Sequence, residues 1–242
     1  MSGKSEIKLK PRHLWLKRPI VTEIFAVGSS DFARTAAMSA TSAIFNNILK
    51  DLGGAVPIAV FGIIFRVMSF IFMPMIGIAQ GAQPILGFNF GAHQFRRVRE
   101  CLNLAIKSAT ILSCFGFVIF MIFPEQILRV FNPNDEEVIA MGTSATRWLV
   151  LALPLVGYQI IGASLFQAIG KAKPAIFLAL SRQVLFLIPM VIVLSKMFGL
   201  TGVWLSFPAA DVTAFIVTWY MVVRETRVLT RMESLPEPDI QR

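Results

Sequence analysis

Charged side chains and tyrosine are scarce in this sequence. Asp, Glu, Lys and Arg make up 15% of the 242 residues and Tyr occurs twice, whereas 55% of the residues are hydrophobic and Phe occurs 21 times. About a quarter of the residues in a soluble domain are charged. A single soluble core cannot bury this much apolar surface, so the composition predicts that most of the chain is embedded in lipid.

Cysteine and histidine are equally scarce. Cys101 and Cys114 lie in or beside one apolar run and do not form a Cys-x-x-Cys pair, which excludes a disulfide framework. His13 and His93 are far apart in sequence, and no cluster has metal-ligand spacing. We therefore expect reduced, packed thiols and no metal site.

Motifs of soluble enzymes and ATP-driven pumps are also lacking. The sequence has no Walker loop, no dinucleotide-binding glycine motif after a strand and no nucleophile–base spacing. We therefore expect a protein that is not an enzyme and needs no bound cofactor. The net charge of +9 would suggest nucleic acid in a soluble protein. Here the basic residues lie between apolar runs, which favours loops beside anionic lipid and no nucleic-acid partner.

Six apolar segments approach the roughly 20 residues that a bilayer span needs. They predict an all-α membrane protein, a bundle of six transmembrane helices. The first is the weakest because it is rich in Ala, Ser and Thr. Between the third and fourth, residues 126–147 predict a short interfacial helix, and Asp135 suits the start of the helix that becomes span four. The predicted spans are 32–49, 55–87, 104–123, 148–169, 175–194 and 202–223.

Strongly basic and weakly basic connections alternate along the chain. The loop after span two carries Arg96, Arg97 and Arg99, and the turn after span four carries Lys171 and Lys173. The segments before span one and after span six are also basic. By the positive-inside rule, this alternation predicts a multi-pass protein of the plasma (inner) membrane with both termini in the cytoplasm.

Polar residues recur on one face of span two. At steps of three or four, Arg66, Met73, Gln80 and Gln83 fall roughly together, and the other faces are mostly large and apolar. Such a stripe either lines a water-accessible cavity or serves static helix packing with amides bonded across helices. For Gln80 and Gln83, one turn apart beside Pro84, the cavity interpretation is favoured because polar side chains are unfavourable in lipid and therefore indicate a function.

Three charged residues lie well inside predicted spans, away from the span ends where Arg34 and Lys107 lie: Arg66, Arg182 and Asp211. Placing a charged side chain in lipid costs free energy, so such a residue indicates a functional role by default, such as ion coupling at Asp211. The alternatives are a fixed internal ion pair or, for Arg182, snorkelling to the headgroups. A carboxylate in this position more commonly forms a structural ion pair.

Several stretches, in order along the chain, form recognisable motifs. The most specific is residues 77–92, GIAQGAQPILGFNFGA, preceded by FGIIFR at 61–66 and followed by Arg96 and Arg97. Further matches are FQAIGK at 166–171, SRQ at 181–183 and GVW at 202–204. Together these stretches resemble the multidrug and toxic compound extrusion (MATE) family. The resemblance covers about residues 20 to 225 and concerns the family's second lobe.

This resemblance implies a fold and a function. Family members have twelve helices in two six-helix lobes and export cationic or amphipathic compounds in exchange for Na⁺ or H⁺. Residues 1–25 would be the cytoplasmic inter-lobe linker, 26–225 the six-helix lobe and 226–242 a cytoplasmic tail. The first lobe, with its ion-coupling acids, has no counterpart here. Asp31 only begins span one and span four has no acid, so a complete sodium site in this chain is not expected.

Efflux by such a lobe predicts a central cleft lined by amides, methionines and aromatic rings, which suit poorly specific binding of flat cations. Burial of all these side chains, with no open face, would count against it. The expected cleft residues are Met68, Phe72, Met73, Gln80, Gln83, Tyr158, Gln159 and Gln167.

Three alternatives stay open. The first is transport, by a chain that is either a portion of a longer transporter or a half-transporter that pairs with a second copy. Its expected partners are the lipid bilayer, small-molecule drugs and either a first lobe or a second copy. A lipid-linked precursor flippase of the same superfamily would need a strongly cationic cavity, for which the spans offer only Arg66 and Arg182. A membrane subunit without transport activity is the third alternative.

Overall fold

A computed structural model describes the backbone of residues 18–233 and the side chains of residues 36–233. Within this range the chain is helical apart from short turns, and it contains no strand. This confirms the all-α prediction. The helices are α1 Arg18–Gly53, α2 Ala55–Gly91, α3 Phe95–Ile122, α4 Pro124–Phe131, α5 Glu136–Leu149, α6 Leu153–Ala168, α7 Ala172–Leu180 and α8 Ile188–Glu233, with a π-helical segment, Ser181–Leu187, joining α7 to α8.

Among the described residues, three continuous helices are long and apolar enough to cross a membrane: α2, α3 and the run Ala172–Glu233. The pair α5 and α6, bent by 53°, qualifies together as a fourth. The run has 62 residues. At 1.5 Å per residue that is about 93 Å, roughly three times the hydrocarbon thickness, so it must fold back. Helix α1 is long enough but less apolar, in line with the weak first span.

The fold-back occurs at Gly199, where α8 bends with φ 58° and ψ −135°. This backbone conformation is open to glycine and strained for other residues. Three residues later, a Cβ on Gly202 would lie 1.9 Å from the carbonyl oxygen of Leu194. The two limbs of α8 therefore touch backbone to backbone, which confirms the predicted boundary between the last two spans.

Acidic residues begin α5, as predicted. The Oδ1 atom of Asp135 accepts a hydrogen bond from the backbone N–H of Val138 at 3.1 Å, and Glu136 and Glu137 occupy the first turn. A carboxylate here satisfies an unpaired N–H and complements the helix dipole. However, α5 and α6 are separate helices that qualify as one span only together, so the predicted start of span four at Trp148 falls inside α5.

Helix α6 lies at the centre of the bundle and reaches its neighbours through small residues. A Cβ on Gly157 would lie 2.7 Å from the carbonyl group of Ala109 on α3, and a Cβ on Gly162 would lie 2.6 Å from Cγ2 of Thr218 on α8. Close backbone approach through small residues is how helices associate in lipid. Helix α6 thereby fixes the positions of α3 and α8.

Aromatic rings join α1 to the rest of the bundle. The ring of Phe45 stacks on that of Phe61 of α2 at 5.4 Å between centroids and contacts Phe207 of α8 at 4.9 Å. All three side chains are buried. Buried aromatic pairs add to the contact energy beyond the area they bury, so this cluster positions the least apolar helix.

Several stretches of helix differ from the sequence prediction, including α1, which begins at Arg18 inside the predicted 1–25 linker. The fifth span contains the π-helical segment, and Pro189, which follows it by two residues, has no N–H to donate to the Leu185 carbonyl. The last helix continues to Glu233, ten residues past the predicted end of span six at Val223. Residues 1–17 and 234–242, which hold most of the predicted linker and tail, lie outside the described residues.

Candidate functional site

One face of α2 is open. Arg66, Met73 and Gln80 are exposed, and Met73 has 69% of its surface accessible. A Cβ added to Gly77 or Gly81 on this face would meet no atom within 4 Å. This part of the predicted polar stripe therefore lies on the outer surface of the bundle. We refer to Arg66, Met73, Gly77, Gln80 and Gly81 as the α2 stripe.

The α2 stripe differs in chemistry from other exposed helix faces. On α3 the exposed residues include Leu104, Ile111 and Phe115, and Ile111 is 70% exposed. On α8 they include Ile216 and Trp219. Large apolar side chains suit contact with lipid tails, whereas an arginine, an amide and two glycines do not. Exposed Phe70, four residues after Arg66 and seven before Gly77, lies on the same face, so the stripe is a mixed surface suited to contact with another protein surface.

Three other predicted cleft residues lie at or near this side. Phe72 and Gln83, also on α2, are half-buried, and Gln167 at the end of α6 is exposed. The carbonyl oxygen of Ala168 lies 3.0 Å from the Cβ position of Gly87, so the end of α6 contacts α2 one turn after Gln83. Gln167 consequently lies close to the extension of the α2 stripe.

Two predicted residues lie in the interior instead. Met68 belongs to the buried core, and Gln159 is buried with its Nε2 atom donating a hydrogen bond to the backbone oxygen of Asp211 at 3.0 Å. The alternative of static helix packing predicted an amide hydrogen-bonded across helices, as observed here. For Gln159 the observed contact is therefore one of helix packing between α6 and α8.

Tyr158 lies elsewhere again. It lines a groove between α3 and α8, and its ring meets that of Phe215 edge-on at 5.3 Å. The structure thus divides the eight expected cleft residues among an open face, the core and a separate groove. It does not gather them into one site.

The charges inside the spans are similarly divided. Nε of Arg182, on the π-helical segment, lies 2.5 Å from Oδ1 of Asp211 on α8. The Asp211 side chain is 6% exposed and that of Arg182 is 33% exposed. This geometry is the fixed internal ion pair that the sequence left as one alternative, and Arg182 reaches a carboxylate in the bundle. Arg66 lies apart on the α2 stripe.

A second ion pair was not anticipated from the sequence. Nζ of Lys171, in the turn before α7, lies 2.7 Å from both carboxylate oxygens of Glu225 on α8. Glu225 is buried and Lys171 is partly exposed. In the sequence, the only indication of this pair was that Glu225 is an acidic residue within the basic end of the last helix. The pair ties the α6–α7 turn to α8.

Among the described residues, no group of three or more His, Cys, Asp or Glu side chains is placed to hold a metal ion. Cys101 and Cys114 are both free and half-buried, as expected for packed thiols. The side chain of Asp31 lies outside the described residues.

Comparison with known proteins identifies relatives of this chain. The MatE family model matches residues 32–193. The multidrug export protein MepA of Staphylococcus haemolyticus (strain JCSC1435) is 25% identical over 238 residues, which cover 98% of this chain and 52% of MepA.

Solved structures of MATE transporters also match this chain. The MATE multidrug transporter DinF-BH is 43% identical, with a TM-score of 0.77 over 89% of this chain and 48% of that protein. A second structure, described as the inward-facing conformation of a MATE family transporter of the MOP superfamily, is 22% identical with a TM-score of 0.83 over 92% of this chain and 51% of that protein, and shares the fold. The chain spans about half the length of these relatives.

Proposed function

This chain belongs to the MatE family, and we propose that it forms one six-helix lobe of a secondary antiporter. In this proposal, the complete transporter exports cationic or amphipathic compounds, including drugs, in exchange for Na⁺ or H⁺. The chain lies in the plasma membrane as a multi-pass protein.

The α2 stripe is the observation that carries the proposal. It places an arginine, an amide and two open glycines on the outside of a bundle whose other exposed faces include long rows of large apolar residues. Transporters built from two repeats bind substrate between the repeats and move one against the other. The stripe is the surface in this chain best suited to face such a cleft.

A second lobe would complete the cleft. The chain covers 52% of MepA and 48% of DinF-BH, which supports a partner of similar size. That partner is either a first lobe or a second copy of this chain. Two copies related by an axis along the membrane normal would place their stripes opposite each other.

Substrate contacts would come from the stripe and its margins. Phe72 and Met73 offer an aromatic face and a polarizable sulfur to a flat cation, and Gln80, Gln83 and Gln167 offer amide oxygens. Arg66 would disfavour a cation beside it, which places the binding region toward the amides.

The coupling ion would be held mainly outside this chain. Asp211 is buried against Arg182, so in this proposal it has a structural role and the coupling carboxylates belong to the partner lobe. This arrangement also disfavours a flippase, because Arg182 is already matched by a carboxylate and contributes little to a cationic cavity.

Both termini are proposed to lie in the cytoplasm. Substitution of both cysteines by serine would give a background for single cysteines at Ala92 and Asn134, which lie in opposite connections. A membrane-impermeant maleimide should label the Asn134→Cys variant in intact cells and the Ala92→Cys variant only after permeabilisation. The reverse pattern would invert the orientation.

The main test is drug efflux in a pump-deficient strain. The chain is expressed alone and together with a separately expressed first lobe of a relative, and membrane insertion is confirmed in each case. Efflux in either arrangement supports the proposal and identifies the partner. Absence of efflux from both, with the chain inserted and the lobes co-purifying, would refute it.

A further inference from the structure

A cavity of about 400 Å³ lies between the end of α3 and α5, on a part of the molecule that the proposed transport function does not use. Met121 of α3 lines one side of it. On the other side, lining residues recur at steps of three or four along α5 and into the bend that follows: Ala140, Ser144, Arg147 and Leu151. This spacing places them on one helix face. We refer to this feature as the α3–α5 cavity.

The bend between α5 and α6 accounts for the cavity. Helices α3 and α6 approach each other closely where Gly157 meets the backbone of Ala109. Beyond that contact, α5 is bent away from the direction of α6 by 53°. The α3–α5 cavity occupies the space between this bent segment and the last turn of α3. Because Ser144, Arg147 and Trp148 are all exposed, the cavity is open to the surroundings of the bundle.

The length of α3 indicates the depth of the cavity in the membrane. Helix α3 has 28 residues, about 42 Å at 1.5 Å per residue, whereas the hydrocarbon core is roughly 30 Å thick. Both ends of α3 therefore reach the polar region of the bilayer, and Met121 is the residue next to its end at Ile122. Trp148, which also lines the cavity, is of the type enriched at this boundary. The cavity thus lies at headgroup depth.

Arg147 gives the cavity a positive charge. Within residues 36–233 it is the only charged side chain that lines the cavity, and it makes no hydrogen bond or ion pair with that part of the chain. Of the two acids in the first turn of α5, Glu136 pairs with Arg129. Glu137 precedes Arg147 by about 15 Å along the helix, beyond the roughly 8 Å over which salt screens exposed charges. The guanidinium is therefore available to an anion.

Two hydroxyl groups lie beside this charge. The side chain of Thr143 lines the cavity, and its Oγ1 atom is buried without a hydrogen bond to any described residue. Buried hydroxyls in proteins are nearly always hydrogen-bonded, so an unpaired one at the wall of a cavity indicates a partner from outside the chain. Ser144, the next residue, adds an exposed hydroxyl. An arginine and two hydroxyls within five residues form a set that suits the oxygens of a phosphate group.

Apolar side chains continue from the cavity along α3. Phe115, Val118 and Ile122 are exposed and recur at steps of three or four, and Val118 lies one turn before Met121. From residue 122 to residue 115 this row extends about 10 Å toward the middle of the bilayer. Large exposed apolar side chains within a membrane suit contact with acyl chains. A polar cavity at headgroup depth thus continues into an apolar surface.

From these observations we propose that the α3–α5 cavity binds the phosphodiester headgroup of an anionic phospholipid. The guanidinium of Arg147 contacts two phosphate oxygens, since arginine binds phosphate in a bidentate manner. The hydroxyl groups of Thr143 and Ser144 donate to the remaining oxygens. One acyl chain lies along Val118 and Phe115. The bound lipid bridges α3 and α5 and stabilises the bent segment.

The test uses the full chain purified in an uncharged detergent. Its melting temperature and the lipid retained, measured by native mass spectrometry, are followed with added phosphatidylglycerol, diacylglycerol with the same acyl chains, or glycerol 3-phosphate. Phosphatidylglycerol should be retained and raise the melting temperature, whereas the other two should have little effect. An equal effect of diacylglycerol would show that the phosphate is not recognised and overturn the proposal. An equal effect of glycerol 3-phosphate would show a site for free phosphate esters and overturn the lipid assignment.

Two single variants give a matched comparison. Arg147→Gln should weaken phosphatidylglycerol binding about tenfold, the lower end of what hydrogen bonds to a charged group contribute. Lys196→Gln removes an exposed positive charge from the connection between the last two spans, which the proposed orientation places on the same side of the membrane. It should leave binding within about twofold, since distant exposed charges are screened. Equal losses in the two would reduce the site to a general charge effect and overturn the proposal.

A second pair of variants protects the test against misfolding, because Ser144 is exposed. Ser144→Asp places a negative charge one turn from Arg147, where the phosphate would lie, so phosphatidylglycerol retention should fall while the melting temperature without lipid is unchanged. Ser144→Asn has a side chain of the same size without the charge and should retain the lipid. Equal retention in these two variants would contradict the assignment. Because none of these measurements involves efflux, their outcome is independent of the transport proposal.

Discussion

Arg182 and Asp211 form an ion pair that connects the π-helical segment to the second limb of α8, with 2.5 Å between Nε and Oδ1. The backbone oxygen of Asp211 also accepts the hydrogen bond of Gln159. Three helical segments therefore meet at one residue. Removal of either charge would leave the other in a low-dielectric interior without its partner.

Asp211→Asn is expected to destabilise the chain by about 3 kcal/mol, the lower end of the range for breaking a buried pair, because Arg182 is partly exposed and can be partly solvated. The measurement is thermal melting of the purified chain in detergent. Arg129→Gln is the matched control, since it removes a pair with Glu125 and Glu136 that is exposed. It should change the melting temperature little.

A double variant distinguishes pairing from general damage. Arg182→Gln combined with Asp211→Asn should be less destabilising than the sum of the single changes, because no unpaired charge is left. Additive losses would show that the two side chains act independently and that the ion pair is not the source of the effect.

Gly202→Ala should prevent the last two limbs from packing. The added Cβ would lie 1.9 Å from the Leu194 carbonyl oxygen, a backbone atom that cannot move aside. We expect the loss of folded protein in fluorescence-detected size exclusion. Gly62→Ala is the control, since its Cβ would meet no atom within 4 Å. A folded Gly202→Ala variant with an unchanged elution profile would contradict the close approach of the two limbs.

Glu225→Gln should loosen the turn between α6 and α7, because the Lys171 ammonium loses both carboxylate contacts. The measurement is limited digestion by proteinase K, which does not require a basic residue, within the turn at residues 169–173 in detergent, where cleavage should become faster. The exchange of both residues, Lys171→Glu with Glu225→Lys, should slow cleavage in this turn relative to either single charge reversal. No difference between the exchange and the single reversals would argue against the pair as the tie.

Asp135→Ala should destabilise α5 by about 1 kcal/mol, since the carboxylate caps the N–H of Val138. Asp135→Asn is expected to retain most of the cap. The control is Asn134→Ala, one residue earlier and exposed. The melting temperature of the purified chain measures all three, and equal losses for the alanine variants would indicate that the cap contributes nothing specific.

Gly77→Leu tests the α2 stripe by separating stability from transport. The site is open in this chain, so the variant should fold with an unchanged melting temperature. In the complete transporter the larger side chain should obstruct the cleft and abolish efflux. Ile111→Phe on the exposed face of α3 should leave efflux intact. Full efflux by the Gly77→Leu variant would show that this face does not line the transport path.

Much of the fold was readable from the sequence because its signals are local. Runs of apolar residues, glycine turns at Gly54, Gly170 and Gly199, and the acidic start of α5 each appear where predicted. The bend between α5 and α6 and the π-helical segment were not predicted. Both depend on where backbone hydrogen bonds shift around prolines, which helical periodicity does not reveal.

The candidate site was only partly predictable. Periodicity predicted Arg66, Met73, Gln80 and Gln83 on one face; in the structure the first three are exposed, whereas Gln83 is half-buried. Periodicity could not place Tyr158 or Gln159, because their surroundings depend on how α6 is rotated between α3 and α8. Which residues bind substrate stays a prediction.

The bend at Gly199 also bears on how the chain enters the membrane during synthesis. Arg182 is made before Asp211, so an isolated fifth span would carry an unmatched positive charge into lipid. With the bend already formed, the two limbs can enter as a helical hairpin in which the carboxylate accompanies the guanidinium. The glycine turn thus allows the last two spans to enter the membrane as one unit.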